Sequence, residues 1–191
     1  VQASAAASMA ASHRPAQASS ESEEAFMPER DVSGEAPRIG VFICDCGLEI
    51  GGVIDVDKLI AFTETFADVV VSQAVGYGCS SDSLAVIEAS IVKNNLNRVV
   101  IGGCSPRTHE TKFQDLMRRA GLNKYLVEIV NLRDQNTWAH MGQPEAALAK
   151  GFKLLGIGIS GVRKSRSLVD QTLPMSQNAL VVGGGGTGMT A

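Results

Sequence analysis

The chain has 191 residues, 45% of them hydrophobic, enough for one substantial domain with a real core plus a flanking segment. Seventeen Lys and Arg against 20 Asp and Glu leave a net charge of -3, and aromatic residues are only 5%, so neither the basic footprint nor the stacking surface of a nucleic-acid binder is present. Apolar stretches are broken by Lys, Gly or Ser well short of the ~20 residues a membrane span needs, and no basic start precedes an apolar core near the N-terminus, so no secretory leader is visible and a cytoplasmic location is expected.

Residues 1 to about 37 are rich in Ala, Ser, Glu and Pro without a sustained period, and read as a disordered tail. The chain opens on Val1, which suits a processed product or a piece of a longer one. From Arg38 the texture changes. A strand over 38–44 is followed by a Gly-containing loop and a helix from Asp55, its N-cap, to Phe66, with Leu59, Phe62 and Phe66 on one face. A strand at 68–74 precedes a helix that starts in Ser80-Ser81-Asp82-Ser83, turns Leu84, Ile87 and Ile91 inward, and ends near Asn94. Strand 98–103 leads through Cys104-Ser105-Pro106-Arg107 to a helix over 108–120 that stops at Gly121. The last pair is a strand from Tyr125 to Val130 and a long helix over 144–162, with Pro144 in its first turn. Strand alternating with helix predicts an α/β fold: a parallel, Rossmann-like sheet of about four strands with flanking helices. Residues 163–178 read as a linker, and 179–191 as the first strand and Gly-rich turn of a second, truncated Rossmann-type domain.

The chain holds four cysteines, and each falls at or just beyond the end of a predicted strand. Cys44 and Cys46 close the first, Cys79 follows the second by Gly76-Tyr77-Gly78, and Cys104 ends the third. Parallel strands share one C-terminal edge, where ligand sites form, so four thiols distant in sequence are expected to converge. Four soft ligands at one point suit an iron–sulfur cluster or a tetrahedral zinc. Structural zinc sites usually come as tight knuckles, and this chain has none. Two further alternatives remain: small buried hydrophobes at strand ends, and a redox dithiol at Cys44 and Cys46, which would leave Cys79 and Cys104 unexplained. His109 and His140 are possible substitute ligands, and Arg107 a cation that neutralises cluster charge or docks an acidic partner.

Near the C-terminus, Gly183, Gly185 and Gly188 fit G-x-G-x-x-G after a strand: a tight turn, a close approach for pyrophosphate, and helix–strand packing. The following helix and the acidic residue expected ~20 positions on lie beyond Ala191, so this chain is not expected to complete a dinucleotide site.

These pieces, in this order, resemble the family of the A-type subunits of heterodisulfide reductase. They are Phe42-Ile43-Cys44-Asp45-Cys46-Gly47, Cys104-Ser105-Pro106-Arg107-Thr108-His109-Glu110, Ala120-Gly121-Leu122-Asn123, Asn131-Leu132-Arg133-Asp134-Gln135 with Trp138-Ala139-His140, and the closing Ala179 to Gly185 with Gly188-Met189-Thr190-Ala191. The resemblance implies an oxidoreductase subunit using FAD and [4Fe-4S] clusters, which passes electrons within a multi-subunit complex. Its implied partners are further iron–sulfur subunits and a hydrogenase or dehydrogenase electron donor. By position, Cys44, Cys46, Cys79 and Cys104 are the cluster ligands, and Gly183, Gly185 and Gly188 contact FAD in the full-length protein. The 191-residue piece alone is then expected to be inactive. The alternative is a non-catalytic α/β docking module with zinc or no metal at the thiols.

Overall fold

The computed structural model describes residues 26–174, 182–186 and 188–190. Four strands form one sheet: β1 (Ile39–Cys44), β2 (Val69–Val75), β3 (Arg98–Gly103) and β4 (Val127–Asn131). Their order is β2-β1-β3-β4 and every pair is parallel. The helices are α1 (Val56–Thr63), α2 (Ser81–Lys93), α3 (Pro106–Arg119) and α4 (Pro144–Lys164). The expected α/β class and parallel sheet are therefore observed.

The two central strands explain the layering. Every residue of β1 and of β3 is buried, the mark of strands covered on both faces. Alternation along each strand divides the core in two. On one face Phe42, Val99 and Ile101 pack with Ile87 and Ile91 of α2 and with Phe113, Leu116 and Met117 of α3. On the other, Ile39, Val41, Ile43 and Val100 pack with Leu59 of α1 and with Leu155, Ile159 and Val162 of α4. Each such side chain, fully buried, contributes about 1.5–3 kcal/mol.

Helix ends follow local chemistry. The Asp55 carboxylate accepts from Lys58 N at 3.3 Å, and Ser80 Oγ from Ser83 N at 3.3 Å, each satisfying a first-turn amide. α4 approaches the sheet at Gly158, where an added Cβ would collide with Val130 Cγ2 and stand 3.6 Å from Glu128 Cγ. α3 begins two residues before its expected start, at Pro106, and is kinked at His109 (φ -138°, ψ 17°).

The flanks differ from the sequence reading. Composition placed residues up to 37 in a tail, yet from Phe26 on the chain packs against the domain. Val32 is 1% exposed in the α2–α3 core, and Arg30 N donates to Gly121 O at 2.8 Å. The buried Asn97 amide holds this segment, donating to Glu35 Oε2 at 3.0 Å and Ala36 O at 2.9 Å. These polar tethers carry no hydrophobic period, so pattern reading passed over them. The reading of a linker from residue 163 meets a similar result: α4 runs to Lys164, and Asn123 Nδ2 then donates to Leu168 O at 3.0 Å while Lys124 pairs with Asp170 at 2.7 Å. The strand expected at 179–182 and residues 1–25 lie outside the described residues, apart from Val182.

Candidate redox site at the switch point of the sheet

β1 connects to β2 on one side and β3 to β4 on the other. The strand order therefore reverses between β1 and β3, and beyond their C-terminal ends lies the crevice where open α/β sheets bind ligands. All four cysteines line one small, solvent-open cavity there, together with Tyr77, His109, Phe113 and Arg133.

Each thiol is set by a different stretch of backbone. Cys44 ends β1 and is 7% exposed; its Sγ donates to Gly76 O at 3.2 Å and accepts from Gly78 N at 3.3 Å. Cys46 sits in the next turn with a left-handed backbone, φ 49°, followed by Gly47 at φ 59°. A side chain at Gly47 would be strained and would press on the Tyr77 hydroxyl, 2.7 Å from its Cβ. Cys79 stands just before the Ser80 cap of α2, and Cys104 directly follows β3. All four are free thiols, Cys44 buried and the others half-buried.

The thiols sense one another. Burial pushes Cys44 up to about 11, a donated Gly78 N–H opposes that, and the neighbouring Cys46 and Cys79 add to it. Cys104 is likewise raised, first by burial, with Arg133 pulling it back and Cys79 and Cys46 pushing it up. Ionised together, thiolates lining one cavity would repel, and a positive core among them would reverse that balance. Among the described residues, no group of three or more Cys, His, Asp or Glu side chains gathers closely enough for one metal ion. A single zinc draws its sulfurs to about 2.3 Å from one point, whereas a cluster spreads its ligands around an inorganic core. The donor set, all sulfur and lining a cavity, is one that thiolate-bound metal centres use.

Of the other candidates, His109 lines the cavity and His140 does not. Arg107 is exposed and off the cavity wall. Among the described residues, Arg133 brings its Nη1 to 3.8 Å from Cys46 Sγ, while Lys112 Nζ donates to the backbone carbonyl of Cys79 at 3.4 Å. Arg133 comes from a segment that strand–helix periodicity cannot describe: a π-helical turn, Arg133–Thr137, running into a 3₁₀ turn, Trp138–His140. Among Gly183, Gly185 and Gly188, the first has φ 119°, and Met189 N donates to Gly185 O at 3.0 Å. The turn is exposed, and an added Cβ at Gly183 or Gly185 would meet nothing within 4 Å.

The fold and this site define a class: a doubly wound α/β domain with a thiol-lined pocket at its switch point. No family model matches the chain. Curated proteins do. It is 44% identical over 154 residues to the A-type subunit of the ferredoxin/F(420)H(2)-dependent CoB-CoM heterodisulfide reductase of Methanosarcina acetivorans, covering 81% of this chain and 19% of that protein. It is 40% identical over 160 residues to an A-type iron-sulfur subunit of the CoB–CoM heterodisulfide reductase of Methanopyrus kandleri, covering 84% and 24%. A protein of Archaeoglobus profundus, named for its likeness to the same heterodisulfide reductase subunit, is 38% identical over 160 residues, covering 84% and 23%. Over these residues the chain is related to the A-type subunits of heterodisulfide reductase, as its motifs indicated, and it spans about a fifth to a quarter of the length of these relatives.

Proposed function

We propose that Cys44, Cys46, Cys79 and Cys104 hold a [4Fe-4S] cluster, and that the chain is part of an FAD- and iron–sulfur-dependent oxidoreductase subunit that relays electrons in a multi-subunit complex. The observation that carries this is the meeting of four thiols from three strand ends in one cavity at the switch point. The relatives' names, heterodisulfide reductase and iron-sulfur subunit, point the same way. A bound cluster supplies one-electron transfer.

The chain's own residues bind, shield and orient. Gly78 N–H, which already donates to Cys44 Sγ at 3.3 Å, would stabilise that sulfur as a thiolate. Phe113 and Ile101 form the apolar wall that limits solvent, and Arg133 brings positive charge. Leu48, Tyr77, Trp138 and Met141 are exposed on loops of this edge, an apolar surface of the kind a partner protein covers. In the full-length protein, Gly183, Gly185 and Gly188 would approach the FAD pyrophosphate.

Anaerobic reconstitution of the chain with iron and sulfide tests the reading. The expected product carries iron and acid-labile sulfide in equal amounts, with a broad visible charge-transfer band. Stoichiometric zinc without sulfide would favour the docking-module alternative.

A further inference from the structure

We propose that Arg133 is a fixed counter-charge that sets the electron affinity of the cluster, held in place by Trp138 and Glu49; the inference rests on the cluster reading above. Three observations place the guanidinium. Leu132, fully buried, donates its N–H to Gly103 O at 2.7 Å, which ties the start of this loop to the residue before Cys104. Arg133 Nη1 reaches Cys46 Sγ at 3.8 Å. Its guanidinium carbon stands 4.9 Å from the centroid of the Trp138 ring, within the range of a cation–π contact. Trp138 is itself anchored, its Nε1 donating to the Glu49 carboxylate, and Thr137 Oγ1 donates to Glu49 O at 2.7 Å. Arg133 is thus clamped between the loop after β1 and the loop after β4, both of which border the thiols.

The electrostatics follow. Four thiolates outweigh the positive charge of a [4Fe-4S] core, so the site is an anion that becomes more negative as it accepts one electron. A cation at the ligand sulfur stabilises the reduced form more than the oxidised form and raises the reduction potential. Arg107 is exposed and off the cavity wall, and Lys112 reaches the Cys79 carbonyl, not a sulfur.

The test is a redox titration of the reconstituted full chain, with dithionite as electron donor and the reduced cluster followed by electron paramagnetic resonance. Arg133→Gln should shift the one-electron equilibrium toward the oxidised form by about tenfold, equal to a potential lower by about 59 mV. Arg133→Lys should recover most of that shift, and Trp138→Leu should fall between wild type and Arg133→Gln. A loaded Arg133→Gln chain with wild-type potential overturns the proposal, as does an equal shift in the Gln and Lys variants, which would assign the effect to shape. Should Arg133→Gln fail to load, Trp138→Leu decides, and an unchanged potential there overturns it. A wild-type chain that takes up zinc alone defeats the cluster reading itself, and this inference with it.

Discussion

Thr137 Oγ1 donates to the backbone carbonyl of Glu49 at 2.7 Å, joining the loop after β4 to the loop after β1. Thr137 is fully buried and its hydroxyl also reaches Arg133 O at 3.1 Å. Thr137→Val keeps the shape and deletes the donor, leaving the Glu49 carbonyl without this partner. The expected cost is about 1–3 kcal/mol, read as a lower urea midpoint at unchanged slope. A midpoint equal to wild type would show that the two loops are not coupled in this way.

Each single Cys→Ser change at Cys44, Cys46, Cys79 and Cys104 should lower iron retention after reconstitution by at least about tenfold, since even losing a group that supports a ligand costs that much. The apo fold should survive in each, judged by far-ultraviolet circular dichroism, because the change is nearly isosteric. Full loading in one variant would remove that residue from the ligand set.

Gly158 lies where α4 presses on Val130 of β4. Gly158→Val should destabilise the domain by about 1–3 kcal/mol through overpacking. Combining it with Val130→Ala should recover part of that loss, since contacting sites do not add. Additive losses in the double variant would place the strain elsewhere.

Glu128 is exposed on β4, yet partial desolvation of its carboxyl, and then the charge of Glu110, push the carboxyl up. A carboxyl raised in the folded state favours its protonated form there, so its contribution is fully present below the unfolded pKa and is lost as pH rises through the folded one. Glu128→Gln should therefore flatten the stability profile across the acid range above the ordinary Glu value. The gain at neutral pH should stay within about 0.5 kcal/mol, because the side chain is largely solvent-facing. A profile unchanged from wild type would show that Glu128 titrates normally.

Titrating this chain with FAD should give no saturable micromolar quenching of flavin fluorescence. The glycine turn is exposed, with open space around Gly183, Gly184, Gly185 and Gly186, and ordering such a segment costs about 1–2 kcal/mol per residue. Saturable binding would mean that the turn already suffices.

The sheet was readable because its signals are local. β1 and, after Arg98, β3 are apolar runs, Ser80 and Asp55 are capping residues, and the cysteines fall at strand ends, so parallel pairing alone brings Cys44 and Cys104 to one edge. Arg133 could not be found that way. Its turn has neither period, and Arg107, three residues past Cys104 in the first turn of α3, was the nearer candidate in sequence. The family motif Asn131 to Gln135 contained the only signal, and it carried no geometry. Likewise the attachment of residues 26–37 rests on one buried side chain, Val32, and on hydrogen bonds made by Asn97, Asn123 and Arg30 to partners distant in sequence, which composition cannot register. Hydrophobic period and capping act within a few residues, so the order of residues suffices for the elements, their parallel arrangement and the strand ends on which the thiols stand. Which cation meets those thiols, and which flanks are held, depends on contacts between side chains far apart in the chain, and these arise only when the loops pack.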